Sequence, residues 1–432
     1  MMRSTHKAPA DRRGAIAVKV AICLPVLLGV TALSLDGGMI YDKRRHSQAA
    51  ADAAALAAAG VLFTTYTNST TLDDGKDPNG AAVKAAKAIA ADNGYPDDQQ
   101  TATVVVNIPP LSGPFTGKVG YVEVLITYHQ QRGFSKIFGT GDLLIGARAV
   151  AVGSWAPNNI GILVLDPTAP SALKIGGGAH AYVPKSDVIV NSTSSTAMYA
   201  SGTGPILLSE QFEITGNYAG GIPGINFIGP IDTGVPPTPD PYIYLPEPDP
   251  TTLPKQSLQT ATIVTDGAGV RTYYLQPGVY KNGLSFSGKD SVVMAPGIYY
   301  MDGGGFSFSG MGSMTATEVM LFNKGKNSSD SVKIAGQGSV TWTPPSTGTY
   351  MGMTFFQARG SNQPDSFTGN GAMNISGVLY APAALMNISG NGDNFIGNQV
   401  VSWQMNFQGN GNFYVPWDPG HMVPVRNLKL VE

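Results

Sequence analysis

The chain has 432 residues, of which only 13% are charged, with 27 Lys+Arg against 29 Asp+Glu for a formal charge of -2. Such a length predicts two or three domains with ample core, and the balanced charge excludes a long-range field for nucleic acid. A lone cysteine, Cys23, excludes an internal disulfide framework and a cysteine-based zinc site, leaving packing and backbone ladders to stabilise the fold.

Residues 1–14 carry Arg3, Lys7, Arg12 and Arg13 and read as a cytoplasmic N-terminus. Residues 15–35 are almost wholly apolar and predict a transmembrane helix of about 31 Å at ~1.5 Å per residue, enough for a hydrocarbon core of roughly 30 Å. Lys19 can snorkel to the headgroups, and Pro25 is a kink that membrane helices tolerate. A cleaved signal peptide is the alternative, disfavoured by the length of the apolar run. Helical pattern then continues through the alanine-rich stretch Ala49–Ala59, with Gly60 as its expected stop. An alanine face of this kind suits close packing, either on neighbouring helices or inside the exported domain.

Asp73–Gly80 has a faint calcium-loop look but lacks EF-hand spacing, and a solvated loop is the expectation. Ala81–Asn93 predicts a helix, and Thr103–Ile108, Tyr121–Tyr128 and Leu143–Val152 predict strands, together a small α+β unit over 36–153.

The string Arg12-Arg13-Gly14-Ala15-Ile16-Ala17, then Leu35-Asp36-Gly37-Gly38, Tyr41, and Gln48-Ala49-Ala50-Ala51-Asp52-Ala53-Ala54-Ala55-Leu56-Ala57 resembles the N-terminal module of TadG-like proteins of the tight-adherence (Flp) pilus assembly system. A second stretch, Phe134–Gly139 followed by Ile145–Ala151, resembles a strand pair of the same pseudopilin-like proteins. The resemblance implies a single-pass protein of the bacterial inner membrane, with its C-terminal domain in the periplasm or at the cell surface. It also implies other pilin-like subunits as partners through the N-terminal helix. Lys19 stands where related pilins carry a glutamate, which argues against processing and polymerisation as a major pilin.

From Asn158 to Pro416 short β-prone runs alternate with glycine and asparagine turns. Pro277-Gly278-Val279-Tyr280 recurs as Pro296-Gly297-Ile298-Tyr299, and Leu284–Gly288 as Phe306–Gly310. Asn374–Gly377 returns as Asn387–Gly390, then loosely as Asn406–Gly409. Periods near 20 residues predict stacked coils. The fold class is therefore mainly β: a right-handed parallel β-solenoid over 158–416, behind the transmembrane helix and the α+β unit. A β-sandwich is the runner-up. Phe286, Phe306 and Phe308 are expected to stack inward. The proline-dense stretch 235–254 reads as a linker or a strap across the solenoid, its Tyr242 and Tyr244 needing somewhere to pack, and 417–432 reads as a tail. The region 158–416 also resembles the β-helical passenger domain found behind such N-termini.

No catalytic, cofactor-binding or metal-binding residues are assigned. The five histidines share no motif, Gly303–Gly305 reads as a turn, and Leu163–Pro170 mimics an adhesion-type metal loop spoiled by Pro170. Asp290, Asp302, Asp365 and Asp393 are the only candidates for a polysaccharide-active enzyme, which is the main rival reading. An S-layer or matrix protein is another, although neither rival explains the Arg12–Ala59 module. The expectation is a non-catalytic minor pilin or assembly component that presents the solenoid for adhesion or assembly, with a surface or glycan contact left open.

Overall fold

The computed structural model describes residues 13–65, 77, 79–327, 329–370 and 372–432. Two compact units emerge, one of Met1–Trp155 with Arg426–Glu432 and one of Ala156–Val425. The basic residues Arg3, Lys7 and Arg12 lie outside the described residues.

In the first unit, helix α1 spans Arg13–Thr65 and helix α2 spans Ala81–Asp92. Strands β1 (Ala102–Asn107), β2 (Tyr121–Gln130) and β3 (Leu143–Ala156) form an antiparallel meander. A fourth strand, β4 (Val425–Leu430), joins the sheet beside β3. The expected tail is thus partly a sheet strand, and in sequence the solenoid is an insertion between β3 and β4.

Alanine explains how α1 packs. Ala50, Ala51, Ala54, Ala55, Ala58 and Ala59 are buried with Ala82, Ala86 and Ala90 of α2 and Val122, Val124 and Ile126 of the sheet. Small side chains let the backbones approach closely; a Cβ on Gly153 of β3 would sit 1.9 Å from the Ala59 carbonyl oxygen. The alanine face therefore serves this unit's own core, against α2 and the sheet. Gly60 does not end the helix, because Leu62 one half-turn on is 1% exposed and its burial carries the helix further. Phe134–Phe138 is a 3-10 turn instead of a strand. The Asp36 carboxylate accepts the backbone N–H groups of Phe134 (3.2 Å) and Ser135 (2.7 Å), which satisfies the turn's free donors and draws the segment out of the sheet. Of the Asp73–Gly80 run, residues 73–76 and 78 lie outside the described residues, and the Asp77 carboxylate caps α2 through Ala81 N (2.9 Å) and Val83 N (3.0 Å).

The second unit is a parallel β-solenoid of about 11 turns with three faces per coil. Its second face has an inward column of Phe286, Phe308, Ile334, Phe367, Ile388, Phe407 and Ile175 in register. Phe286, Phe306 and Phe308 are all at most 3% exposed, as the alternation required. The first face is buried on both sides, which accounts for its unbroken apolar strands such as Val319–Asn323 and Met353–Gln357.

The coils do not stack in chain order. From Ile160 the chain climbs through first-face strands Asp187–Val190, Phe212–Ile214 and Ile231–Thr233 to one end. It restarts at the other end with Lys255–Gln256 and climbs back, so that the last coil, Gln399–Tyr414, lies against the first. Residues 234–254 bridge the ends as a strap over the first face. Ten coil steps at ~4.8 Å come to about 48 Å, and some twenty residues in an extended proline-rich conformation reach ~60 Å. The strap descends coil by coil. Thr238 exchanges two hydrogen bonds with Asn191 (2.8 Å each), and Asp240 accepts from the Tyr380 hydroxyl (2.7 Å). Arg359 donates to the carbonyls of Tyr242 (2.6 Å) and Leu245 (2.7 Å), and Pro254 accepts from Val279 N (2.8 Å). Tyr242 is 2% exposed beneath it, whereas Tyr244 is 76% exposed.

The repeats map onto the coils unevenly. The 22-residue repeat is a true coil step, pairing Leu284 with Phe306. Asn374 and Asn387 fall on different faces, so that tight match is no coil step, while the looser Asn387–Asn406 pair is in register with its amides joined (3.2 Å).

Candidate functional site

Along α1, the large side chains from Ile16 to Leu35 point outward, with Ile22 68%, Val26 64% and Leu33 59% exposed, while Ala32 is buried. This one helix is long and apolar enough to cross a membrane. Asp36 ends the apolar stretch and is held by the Phe134–Ser135 turn, joining two segments 98 residues apart. Within the sheet, the buried Glu123 carboxylate accepts from Asn107 Nδ2 (2.8 Å), Leu111 N (3.1 Å), the Ser112 hydroxyl and Arg148 Nε (2.7 Å). Burial alone would raise its pKa, but these donors outweigh it and hold the carboxyl at about 2.

In the solenoid, the outer columns of the second face read Ser285, Ser307, Lys333, Ser366, Asn387, Asn406 and Ser309, Ala335, Thr368, Ser389, Gln408. The third face carries an aromatic stack of Phe395, Tyr414 and Tyr182, with ring centroids 5.1 Å apart at each step. Rings stacked on one another present edges outward and cover their own faces.

The four aspartates do not converge. Asp290 pairs with Arg271 (2.6 Å), Asp302 with Lys326 (2.6 Å), and Asp393 accepts from Asn412 (2.7 Å). Asp365 is fully buried, accepts from Val332 N (2.8 Å), and has its second oxygen unpartnered; burial pushes its carboxyl well above the usual range. Asp166, of the metal-loop look-alike, accepts from Thr168 N, Ala169 N and Gln404 Nε2 (2.7 Å). Among the described residues no three His, Cys, Asp or Glu side chains gather as a metal would need.

One corner differs from the rest. Between third and first faces most coils turn in two residues, as from Met294 to Gly297, Ala316 to Val319 and Ile375 to Val378. Between Trp342 and Met353 the loop Thr343–Gly352 intervenes. It walls a groove of about 370 Å³ with Pro296, Ile298 and Glu318 opposite Ser346, Thr347, Thr349 and Tyr350. Repeat spacing does not mark this loop, although Pro344-Pro345 followed by hydroxyl residues interrupts the strand rhythm there.

Fold and surface together define a β-solenoid protein carried on a helix able to span a membrane. Residues 14–61, within the N-terminal helix, match the Tad family model, described as Flp pilus-assembly TadE/G-like. Neither the curated proteins nor the solved structures contain a match to the chain.

Proposed function

We propose that the protein is a non-catalytic minor pilin or assembly component of a tight-adherence type pilus, with the N-terminus inside and the solenoid outside the cytoplasm. The observation that carries this reading is the joining, in one chain, of a TadE/G-like segment whose apolar span is largely exposed to a solenoid fixed by its own strap. Pilin-like partners would meet the span of residues 16–35, since the alanine face is occupied. Arg13 and the basic residues before it, flanking the span, support the N-inside orientation. The dispersion of Asp290, Asp302, Asp365 and Asp393 over separate coils supports a binding role over hydrolysis, which requires two carboxylates on one substrate. Deleting the gene should reduce surface attachment or pilus display and leave polysaccharide cleavage untouched. Normal attachment and normal pili in the deletion strain would sink the reading.

A further inference from the structure

The groove at the Thr343–Gly352 loop combines three independent features. The first is the break in a regular stack: an insertion in one coil is where a solenoid departs from what packing alone demands. A second is backbone conformation. Glu318 has φ 56°, in the left-handed region, at the place where the next two coils carry Gly352 (φ 80°) and Gly377 (φ 88°). Glycine adopts that conformation freely and glutamate does not, so the side chain is retained against a local strain. The third is the lining. Glu318 accepts a hydrogen bond from the Ser346 hydroxyl across the groove, Thr347 and Thr349 add hydroxyls, and Pro296, Pro345, Ile298 and Tyr350 supply apolar surface.

We infer that this groove binds a short stretch of neutral glycan, with Glu318 accepting from sugar hydroxyls and the proline and tyrosine surfaces meeting sugar C–H groups. This rests on the adhesion reading and names its partner. The chemistry favours a neutral polyol because the only charged lining group is an acceptor, which repels acidic sugars and finds donors in hydroxyls. A peptide added as a strand is disfavoured, since the strands beside the groove are paired with coils on both sides. With a single carboxylate among the lining residues the site binds without cleaving.

The full chain in detergent is titrated with neutral gluco-, galacto- and manno-oligosaccharides, with acidic oligosaccharides, and with an unstructured peptide. A neutral oligosaccharide should bind, and both Glu318→Gly and Glu318→Gln should weaken it about tenfold or more. The glycine variant should melt at the same or a higher temperature, separating lost binding from lost folding. Thr347→Ala with Thr349→Ala provides a second, strain-independent loss. Preference for acidic sugars or the peptide, absence of any binding, or binding indifferent to these variants would overturn the inference. In cells, Glu318→Gly with undiminished attachment defeats the groove alone, whereas a deletion strain that attaches normally defeats the adhesion reading beneath it.

Discussion

Phe308 and Asp365 occupy similarly buried places two coils apart, yet they act on stability in opposite directions. Phe308 fills its column between Phe286 and Ile334, so Phe308→Ala should cost ~3–5 kcal/mol by lost transfer and cavity formation. A thermal melt that ignores the change would mean the column is misregistered. Asp365 carries one hydrogen bond and an orphan oxygen, and burial raises its pKa, so folding favours the protonated form. A raised folded-state value contributes stability below the unfolded pKa, near 3.9, and that contribution fades as pH rises through the folded value. Asp365→Asn keeps the acceptor for Val332 N and removes the charge, so urea midpoints at pH 7 should rise, by ~1–3 kcal/mol in free energy. A fall at pH 7 would show the carboxylate has a partner that matters. Glu123 has the opposite sign. Its depressed value stabilises the first unit above about pH 4.5, and the contribution is lost between there and about 2. Glu123→Gln should flatten the acid limb of the unfolding curve in that window.

At the scale of elements, helix α1 shows where sequence pattern was sufficient and where it failed. Its apolar length, its alanine run and the strand periods of β1, β2 and β3 were legible because each depends on local spacing. The role of the alanine face was not, since the same small side chains suit an intermolecular seam or an internal one. Gly153 decides it here, and Gly153→Ala should destabilise the first unit by ~1–3 kcal/mol, because its Cβ meets the fixed backbone of Ala59. Circular dichroism melts of the full chain would read this as an early transition; an unchanged first transition would place β3 farther from α1. Asp36 and Ser135 could not have been paired from sequence, because nothing local distinguishes a carboxylate that caps a distant turn from one that faces water. Phe134–Phe138 read as a strand for the same reason. The groove is not legible in the sequence because periodicity reveals repeating coils and is silent about insertions between their strands.

For the whole molecule, coil repeats revealed that a stack exists but not its order. Parallel strands pair equally well whether the neighbour is the next coil or one far along the chain, so only three-dimensional closure tells Gln399–Tyr414 to meet Ile160–Val183. Gln399 holds that junction. Its amide donates to Asn158 Oδ1 (2.6 Å) and the Ile160 carbonyl (2.7 Å), and its carbonyl oxygen accepts from the Tyr242 hydroxyl of the strap. Trp417 Nε1 adds a bond to the Asn158 carbonyl (2.9 Å), so chain entry and exit are stapled side by side, as an inserted domain requires.

That junction also sets a rule for the order of events as the chain is made. A chain that emerges N-terminus first presents its opening coils, Ile160 to Thr233, with one strand edge bare until Gln399–Tyr414 arrives much later. Bare parallel edges invite pairing with the wrong chain. The closing coil thus works as a completeness check: only a full-length molecule seals its own middle. Ribosomal or proteolytic fragments ending before Gln399 should be sticky and short-lived even though they contain most of the coils. Pulse-chase of a chain stopped at Asn398 should show aggregation or rapid loss where the intact chain persists, and equal lifetimes would mean that the two halves of the stack stand independently.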